Sequence, residues 1–164
     1  MRSPLFFLVL DDDADMRFLH RLELTKEFPG CVVAECAGVE AANALCSAQT
    51  FDAILTDYSL IDGSGTGFIA RLREQGWECP ILMLTGSSDP RVHEKAYAAG
   101  ASRVLWGTKL RFAPIVRYLL GLKHQAADEA GAEGGGSNPP AALACQQLRN
   151  YAIASTPKLS GALE

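Results

Sequence analysis

Residues 51–65 read FDAILTDYSLIDGSG, an apolar run that closes on Asp57 and passes directly into a glycine-containing turn. Short, continuous apolar runs bounded by turn residues are typical of strands that helices cover on both faces. Open sheets of such strands bind their ligands at the carboxyl ends of the strands. The stretch therefore predicts a parallel sheet and puts the Asp57 carboxylate at its functional edge.

Segments of the same kind alternate with helical patterns along most of the chain. The predicted strands cover residues 5–10, 31–37, 51–56, 80–84 and 103–106. The predicted helices cover 16–28, 39–48, 66–75 and 90–100, with a short one from about Pro114. Five such βα units predict an α/β fold: a doubly wound five-stranded parallel sheet, flavodoxin-like strand order 2-1-3-4-5, with helices on both faces. That order brings the ends of the first, third and fourth strands together.

The composition limits the class of protein. The 164 residues are 48% apolar and 21% charged, with a formal net charge of −4, which suits one well-buried domain. An acidic balance without a basic stripe argues against direct nucleic-acid binding. No apolar run reaches the length of a membrane span, and the one near the N-terminus ends in aspartates rather than at a cleavage site. We expect a cytoplasmic protein with no membrane contact, whose five cysteines are reduced.

The composition changes at Ala126 to a run rich in Gly, Ala and Pro. Such a run cannot bury enough apolar surface to order itself. We therefore predict a globular domain over residues 1–124 and a low-complexity, disordered tail over residues 125–164. Within the tail, residues 141–154 are open to two interpretations, a short amphipathic helix or a frayed end.

Two strand ends carry carboxylates. Asp11, Asp12 and Asp13 follow the first strand, and Asp57 closes the third. One aspartate after a strand is commonly a helix N-cap, a role that Asp13 or Asp15 can fill. The remaining carboxylates repel one another unless a cation lies between them, and hard oxygen ligands suit Mg²⁺. The sequence predicts a Mg²⁺ pocket there.

Two further groups follow the fourth and fifth strands. Thr85 is followed by the small residue Gly86, so its hydroxyl could bond an anion held over Asp57, although it could also simply end a strand. Lys109 is the only lysine near the fifth strand. Its ammonium could neutralise a phosphoryl group on Asp57, or it could be a solvated loop residue.

Taken in order, these motifs resemble the receiver domain of bacterial response regulators, the CheY-like superfamily of two-component signalling. The resemblance covers about residues 5–122 and would make 1–124 the receiver domain. It rests on a double Asp after strand one, Asp57 with YSLIDGSG, Thr-Gly after strand four, AAGAS at 98–102 and a following lysine. It implies phosphoryl transfer from a histidine kinase phosphohistidine to the strand-three aspartate, with bound Mg²⁺.

The resemblance also assigns roles to individual residues. Asp57 would be the phosphoacceptor and would join the metal ligands, which would include Asp11, Asp12 and the backbone carbonyl of Ser59. Thr85 would be the switch hydroxyl. Lys109 would be a catalytic residue. Trp106, three residues before Lys109, would be the aromatic switch. Counted without gaps, the family's lysine position falls on Gly107, so Gly107 and Lys109 compete for it.

We therefore expect a stand-alone receiver in a phosphorelay, a signalling phosphoprotein that catalyses only its own phosphorylation and dephosphorylation. Its partners would be a sensor histidine kinase or phosphotransfer protein and an unknown downstream protein, with phosphorylation-dependent dimerisation open. Two alternatives stay open. One is a pseudo-receiver that binds partners without phosphorylation. The other is a Mg²⁺-dependent phosphohydrolase of the haloacid dehalogenase type, whose D-x-D motif Asp11 and Asp13 would match.

Overall fold

The central sheet has five parallel strands. They are β1 (Phe6–Leu10), β2 (Val32–Cys36), β3 (Ala53–Asp57), β6 (Ile81–Thr85) and β7 (Arg103–Trp106), separated by the two-residue strands β4 (Ser59–Leu60) and β5 (Gly63–Ser64). The order across the sheet is β2-β1-β3-β6-β7, and β4 pairs with β5. A computed structural model describes residues 3–107 and 111–122. The predicted order 2-1-3-4-5 is confirmed once the two short strands are set aside.

The register determines which residues meet at the carboxyl edge. Leu10 of β1 pairs with Thr56 of β3, and Asp57 pairs with Leu84 of β6. Asp57 and the residues just after Leu10 therefore end neighbouring strands, at the edge where open sheets place their sites.

Five helices connect these strands. They are α1 (Ala14–Glu27), α2 (Val39–Ala48), α3 (Gly65–Glu74), α4 (Pro90–Ala99) and α5 (Ala113–Leu119). All five predicted helices are present, with ends within two residues of those expected. Asp13 caps α1, since its side chain accepts from two backbone N–H groups of the first turn. Helix α1 packs with α5 and α3 packs with α4, which agrees with the predicted helices on both faces.

The apolar core lies on the three inner strands and α3. Strand β6 is buried along its whole length, and α3 buries Phe68, Ile69 and Leu72 to within 1% exposure. Each such side chain stabilises the fold by about 1.5–3 kcal/mol relative to an exposed one. The acidic edge of the sheet is thus built on a rigid support.

Helix α1 reverses the usual distribution of polar and apolar side chains. Leu24 is buried, whereas Met16, Leu19 and Leu22, the other apolar residues whose spacing is typical of a helix here, are 36–54% exposed. His20 is buried in their place. The apolar spacing therefore located the helix but did not identify the face that packs inward.

Polar contacts to α5 explain this reversal. The Glu23 carboxylate accepts from the backbone N–H of Ala113 at 3.1 Å. Arg117 pairs with Glu27 at 2.5 Å, and its guanidinium lies 4.7 Å from the centre of the Phe28 ring. These contacts satisfy polar groups of Glu23 and Glu27 on the side of α1 that faces α5. His20 instead packs edge-on against Phe112 at 5.3 Å between ring centres, and its Nδ1 has no hydrogen-bond partner among the described residues.

Two of the composition-based expectations can be compared with the fold. Among the helices of the described residues, none is long and apolar enough to cross a membrane. Cys31, Cys36, Cys46 and Cys79 are free thiols, as expected for reduced cysteines. Cys145 and the predicted tail lie outside the described residues.

Candidate functional site

Three carboxylates converge at the ends of β1 and β3. Asp11, Asp12 and Asp57 each offer an oxygen, and these oxygens lie within 4.8 Å of one another. Asp11 is buried, Asp57 is half-buried and Asp12 is exposed. The group therefore runs from a buried carboxylate, Asp11, to an exposed one, Asp12.

Asp11 is the most enclosed member of this acidic group. Its side chain is 6% exposed and accepts from the backbone N–H of Asp13 at 2.9 Å. Burial, followed by the neighbouring charges of Asp57, Asp12 and Asp13, raises the pKa of Asp11 to about 6, although the Asp13 N–H opposes the change. Burial and the neighbouring carboxylates therefore both disfavour the ionised form of Asp11.

Asp57 is the last residue of β3, the middle strand of the five-stranded sheet. Its Oδ1 accepts from the backbone N–H of Tyr58 at 2.7 Å. Burial and the charge of Asp12 raise the pKa of Asp57, while N–H groups of Tyr58 and Ser59 lower it. One carboxylate oxygen of Asp57 is therefore held by the backbone, which orients the side chain.

The chemistry of this donor set fits a hard divalent cation. All three side chains offer carboxylate oxygens, the ligand type that Mg²⁺ prefers. Their mutual repulsion is relieved when a cation lies between them. Asp13 is not a member of the group, because its Oδ1 accepts from the N–H of Asp15 at 2.8 Å as the α1 cap. Asp13 thus serves as the cap of α1, whereas the haloacid dehalogenase interpretation would make it a site residue together with Asp11.

Two residues that support the acidic group were missed by sequence reasoning. A Cβ on Gly65 would lie 2.0 Å from the backbone oxygen of Asp57, so only glycine lets α3 start directly beneath the Asp57 backbone. Arg17 of α1 donates from Nη1 to the backbone oxygen of Asp11 at 2.7 Å. Gly65 ends the YSLIDGSG motif, but that motif does not reveal its close approach to the Asp57 backbone, and Arg17 carries no sequence signal that distinguishes it from an ordinary helix residue.

The ends of β6 and β7 form the other side of the site. Thr85 is 6% exposed, and its Oγ1 accepts from the N–H of Ser87 at 3.1 Å. Ser87 in turn accepts from the N–H of Asp89 at 3.2 Å. Thr85 pairs with Trp106 across the two strands. Thr85, Ser87 and Trp106 thus follow Asp57 along the same edge of the sheet.

The lysine predicted after the fifth strand has two candidate positions, 107 and 109. Gly107 has a φ of +113°, a conformation that favours glycine and would strain a lysine. Lys109, the competing candidate for the family's lysine position, lies outside the described residues.

A small hairpin connects Asp57 to α3. Ser59 pairs with Ser64 and Leu60 with Gly63, and the N–H of Gly65 donates to the oxygen of Tyr58 at 2.9 Å. The sequence predicts only a turn here, since two-residue strands are too short to show an alternating pattern.

Residues 7–107 match the family model of the response regulator receiver domain. The chain belongs to this family. The match spans β1 to the end of β7 and therefore includes all three carboxylates of the acidic group.

Named relatives agree with this membership. The response regulator protein PilR of Pseudomonas aeruginosa is 30% identical over 158 residues, which cover 92% of this chain and 34% of PilR. The chain thus spans about a third of the length of that relative.

Solved structures share the fold. The receiver domain protein (CheY-like) of Methanospirillum hungatei matches with a TM-score of 0.67 at 21% identity, over 73% of this chain and 95% of that one. The chemotaxis response regulator CheY4 of Vibrio cholerae matches with a TM-score of 0.64 at 24% identity, over 71% of this chain and 99% of that one.

Membership assigns the chain to two-component signalling. Receiver domains are signalling domains rather than classical enzymes, and the family works with histidine kinases and downstream effectors.

Proposed function

We propose that this receiver accepts a phosphoryl group on Asp57 from the phosphohistidine of a sensor histidine kinase or phosphotransfer protein, in the presence of Mg²⁺. One observation carries the proposal: the Asp57 carboxylate lies within 4.8 Å of those of Asp11 and Asp12 at the carboxyl edge of the sheet. An attacking carboxylate beside a cation-binding pair is the arrangement that phosphoryl transfer to an aspartate requires.

In the transfer, a carboxylate oxygen of Asp57 attacks phosphorus while the nitrogen–phosphorus bond of the donor breaks, and the imidazole keeps the bonding electrons. The Tyr58 N–H on Oδ1 supports a fixed orientation, with the second oxygen as the nucleophile. Positioning of this kind supplies much of the rate of phosphoryl transfer.

The ligands of the cation would be the carboxylates of Asp11, Asp12 and Asp57 and the backbone carbonyl of Ser59. Bound Mg²⁺ neutralises charge that develops on the phosphoryl oxygens. Asp11 is the buried member, so it would anchor the ion at the base of the pocket. We also propose that Lys109 pairs with the phosphoryl group.

The phosphorylated state would be read out through the other side of the site. The Thr85 hydroxyl would move to bond a phosphoryl oxygen, and Trp106, its neighbour on β7, would follow as the aromatic switch. The output is a change in the binding of a downstream protein. Stand-alone action, a cytoplasmic location and dimerisation on phosphorylation stay predictions; light scattering with and without a phosphoryl donor tests the dimer.

The experiment is incubation with acetyl phosphate and Mg²⁺, followed by intact mass. We expect wild type to gain one phosphoryl group and Asp57→Asn to gain none. Asp52→Asn is the matched control, because Asp52 also lies beside β3 but bonds the N–H of Phe6 at 2.7 Å, away from the acidic group. We expect it to be phosphorylated like wild type.

Two outcomes contradict the proposal. If wild type gains no phosphoryl group although it binds Mg²⁺, the chain is a pseudo-receiver. If Asp57→Asn still gains one, Asp57 is not the acceptor.

A further inference from the structure

Helix α2 takes its N-terminal cap from a distant part of the chain. Its N-cap residue is Gly38, which has no side chain with which to bond the first N–H groups. The Asp62 carboxylate does so instead, accepting from Val39 at 2.7 Å and from Glu40 at 3.0 Å. A carboxylate is well suited to this place, since helix N-termini carry free N–H groups and partial positive charge.

Asp62 lies at the tip of the hairpin that follows Asp57. Strands β4 and β5 form the two arms of this hairpin, and the bond from Gly65 N–H to the Tyr58 oxygen closes its base. The two bonds from Asp62 to Val39 and Glu40 are thus polar contacts that tie the tip of this hairpin to α2.

The fit between this hairpin and α2 is close. A Cβ on Gly38 would lie 2.7 Å from Oδ2 of Asp62, and a Cβ on Gly63 would lie 3.1 Å from a methyl carbon of Val39. The backbone N–H groups of Glu40 and Val39 also lower the pKa of Asp62, so the carboxylate stays ionised. The close packing and the ionised carboxylate both support a specific contact between the hairpin and α2.

We propose that Asp62 is a positioning residue for the site: by fixing the hairpin tip on α2, it holds Ser59, whose carbonyl would bind Mg²⁺. This inference rests on the proposed function, because it takes Ser59 as a ligand. Ser59 is the first residue of this hairpin. Any movement of the hairpin therefore also moves the Ser59 carbonyl. Groups that orient metal ligands typically contribute about 10–100-fold to metal affinity.

The first test measures Mg²⁺ binding by calorimetry. We expect Asp62→Ala to weaken Mg²⁺ binding about tenfold. Asp62→Asn keeps one acceptor oxygen and should lie between Asp62→Ala and wild type. With acetyl phosphate as donor, the Mg²⁺ concentration for half-maximal rate should rise in the same proportion, while the rate at saturating Mg²⁺ stays within about twofold of wild type.

The second test uses Gly38→Ala, which leaves the Asp62 carboxylate in the chain. Its methyl group would displace that carboxylate, so the variant should weaken Mg²⁺ binding like Asp62→Ala. In the double variant with Asp62→Ala, the added methyl group no longer meets a carboxylate. Gly38→Ala should then weaken Mg²⁺ binding no further, which is the non-additivity expected of two coupled residues.

The matched control is Glu23→Ala. Glu23 also caps a distant helix through a carboxylate, at the N–H of Ala113 in α5, but it does not touch the hairpin. It should reduce stability and leave Mg²⁺ affinity unchanged. A similar loss of affinity in Glu23→Ala would overturn the inference.

Hydrogen exchange in metal-free protein separates this inference from the proposed function. Asp62→Ala should speed exchange at Val39 and Glu40 and also at Gly65, whose N–H closes the hairpin. Faster exchange at Val39 and Glu40 with Gly65 and Mg²⁺ affinity unchanged would mean that Asp62 only caps α2. If wild type fails to take up phosphate, the proposed function fails, while exchange and Mg²⁺ binding still decide the role of Asp62.

Discussion

The acidic side of the site, at the ends of β1 and β3, is packed more tightly than the hydroxyl side, at the ends of β6 and β7. A Cβ on Gly65 would lie 2.0 Å from the backbone oxygen of Asp57, whereas a Cβ on Gly86, next to Thr85, would have no described heavy atom within 4 Å apart from those of Gly86 itself and its two neighbours in the chain. The backbone around the carboxylates is therefore held in place, while the backbone after Thr85 has space around it.

The two sides also differ in charge. The acidic side brings three carboxylates together, and burial with mutual repulsion raises the pKa of Asp11 to about 6. The hydroxyl side presents the neutral Thr85, bonded to the N–H of Ser87. The acidic side thus concentrates negative charge, while the described hydroxyl group of Thr85 is neutral.

The largest effect is expected at Gly65. Gly65→Ala should lower the free energy of unfolding by about 3 kcal/mol or more, since the clash is with a backbone atom that cannot rotate away. Gly86→Ala should stay within about 0.5 kcal/mol of wild type. Urea denaturation of both variants measures the contrast. Equal losses would show that the two sides are packed alike.

The next effect is a pH dependence at Asp11. Its pKa in the folded protein, about 6, lies above the ordinary aspartate value of 3.8, so the folded state binds the proton more tightly than the unfolded one. Stability from this group is present below about pH 4 and is lost as pH rises to about 6.

The substitution Asp11→Asn removes the ionisable group, so the loss of stability with rising pH should disappear. It keeps a side-chain oxygen that can accept from the N–H of Asp13. In chelator, its stability relative to wild type should grow by about 2 kcal/mol between pH 4 and pH 7. Denaturation at a series of pH values tests this, and a difference that is flat with pH would contradict the charge contrast. Asp11→Asn should also weaken Mg²⁺ binding.

The smallest effect is expected at Thr85. Thr85→Val removes the acceptor of the Ser87 N–H and should cost about 1 kcal/mol, the net value of one hydrogen bond. Thr85→Ser keeps the hydroxyl and shows how much of the change is packing. A loss above about 3 kcal/mol would place Thr85 in a rigid network like that of the acidic side.

Sequence reasoning predicted the strands, their order, a cap of α1 by Asp13 or Asp15, and the three carboxylates of the acidic group. These features follow from local patterns, because an apolar run that ends in an aspartate specifies both a strand and its functional end. It did not identify the polar inner face of α1. There the apolar residues Met16, Leu19 and Leu22 are exposed, since α5 provides polar partners that no local pattern reveals.

The sequence alone also did not identify the residues that hold the site in place. Asp62 bonds groups 23 and 22 residues away, and in the sequence it is one aspartate before a glycine in a turn. Arg17 and Gly65 resemble ordinary helix residues until the turns they support are known. Lys109 stays a prediction, because residues 108–110 are not described.

The receiver fold and the acidic residues that end its strands follow from the amino-acid sequence, because periodicity and strand-end chemistry are properties of neighbouring residues. The three-dimensional packing settles which of the two candidate aspartates caps α1, how Asp62 comes to cap α2, and where glycine is required. Those outcomes depend on distances between segments far apart in the chain, where a shift of one ångström separates a hydrogen bond from a clash.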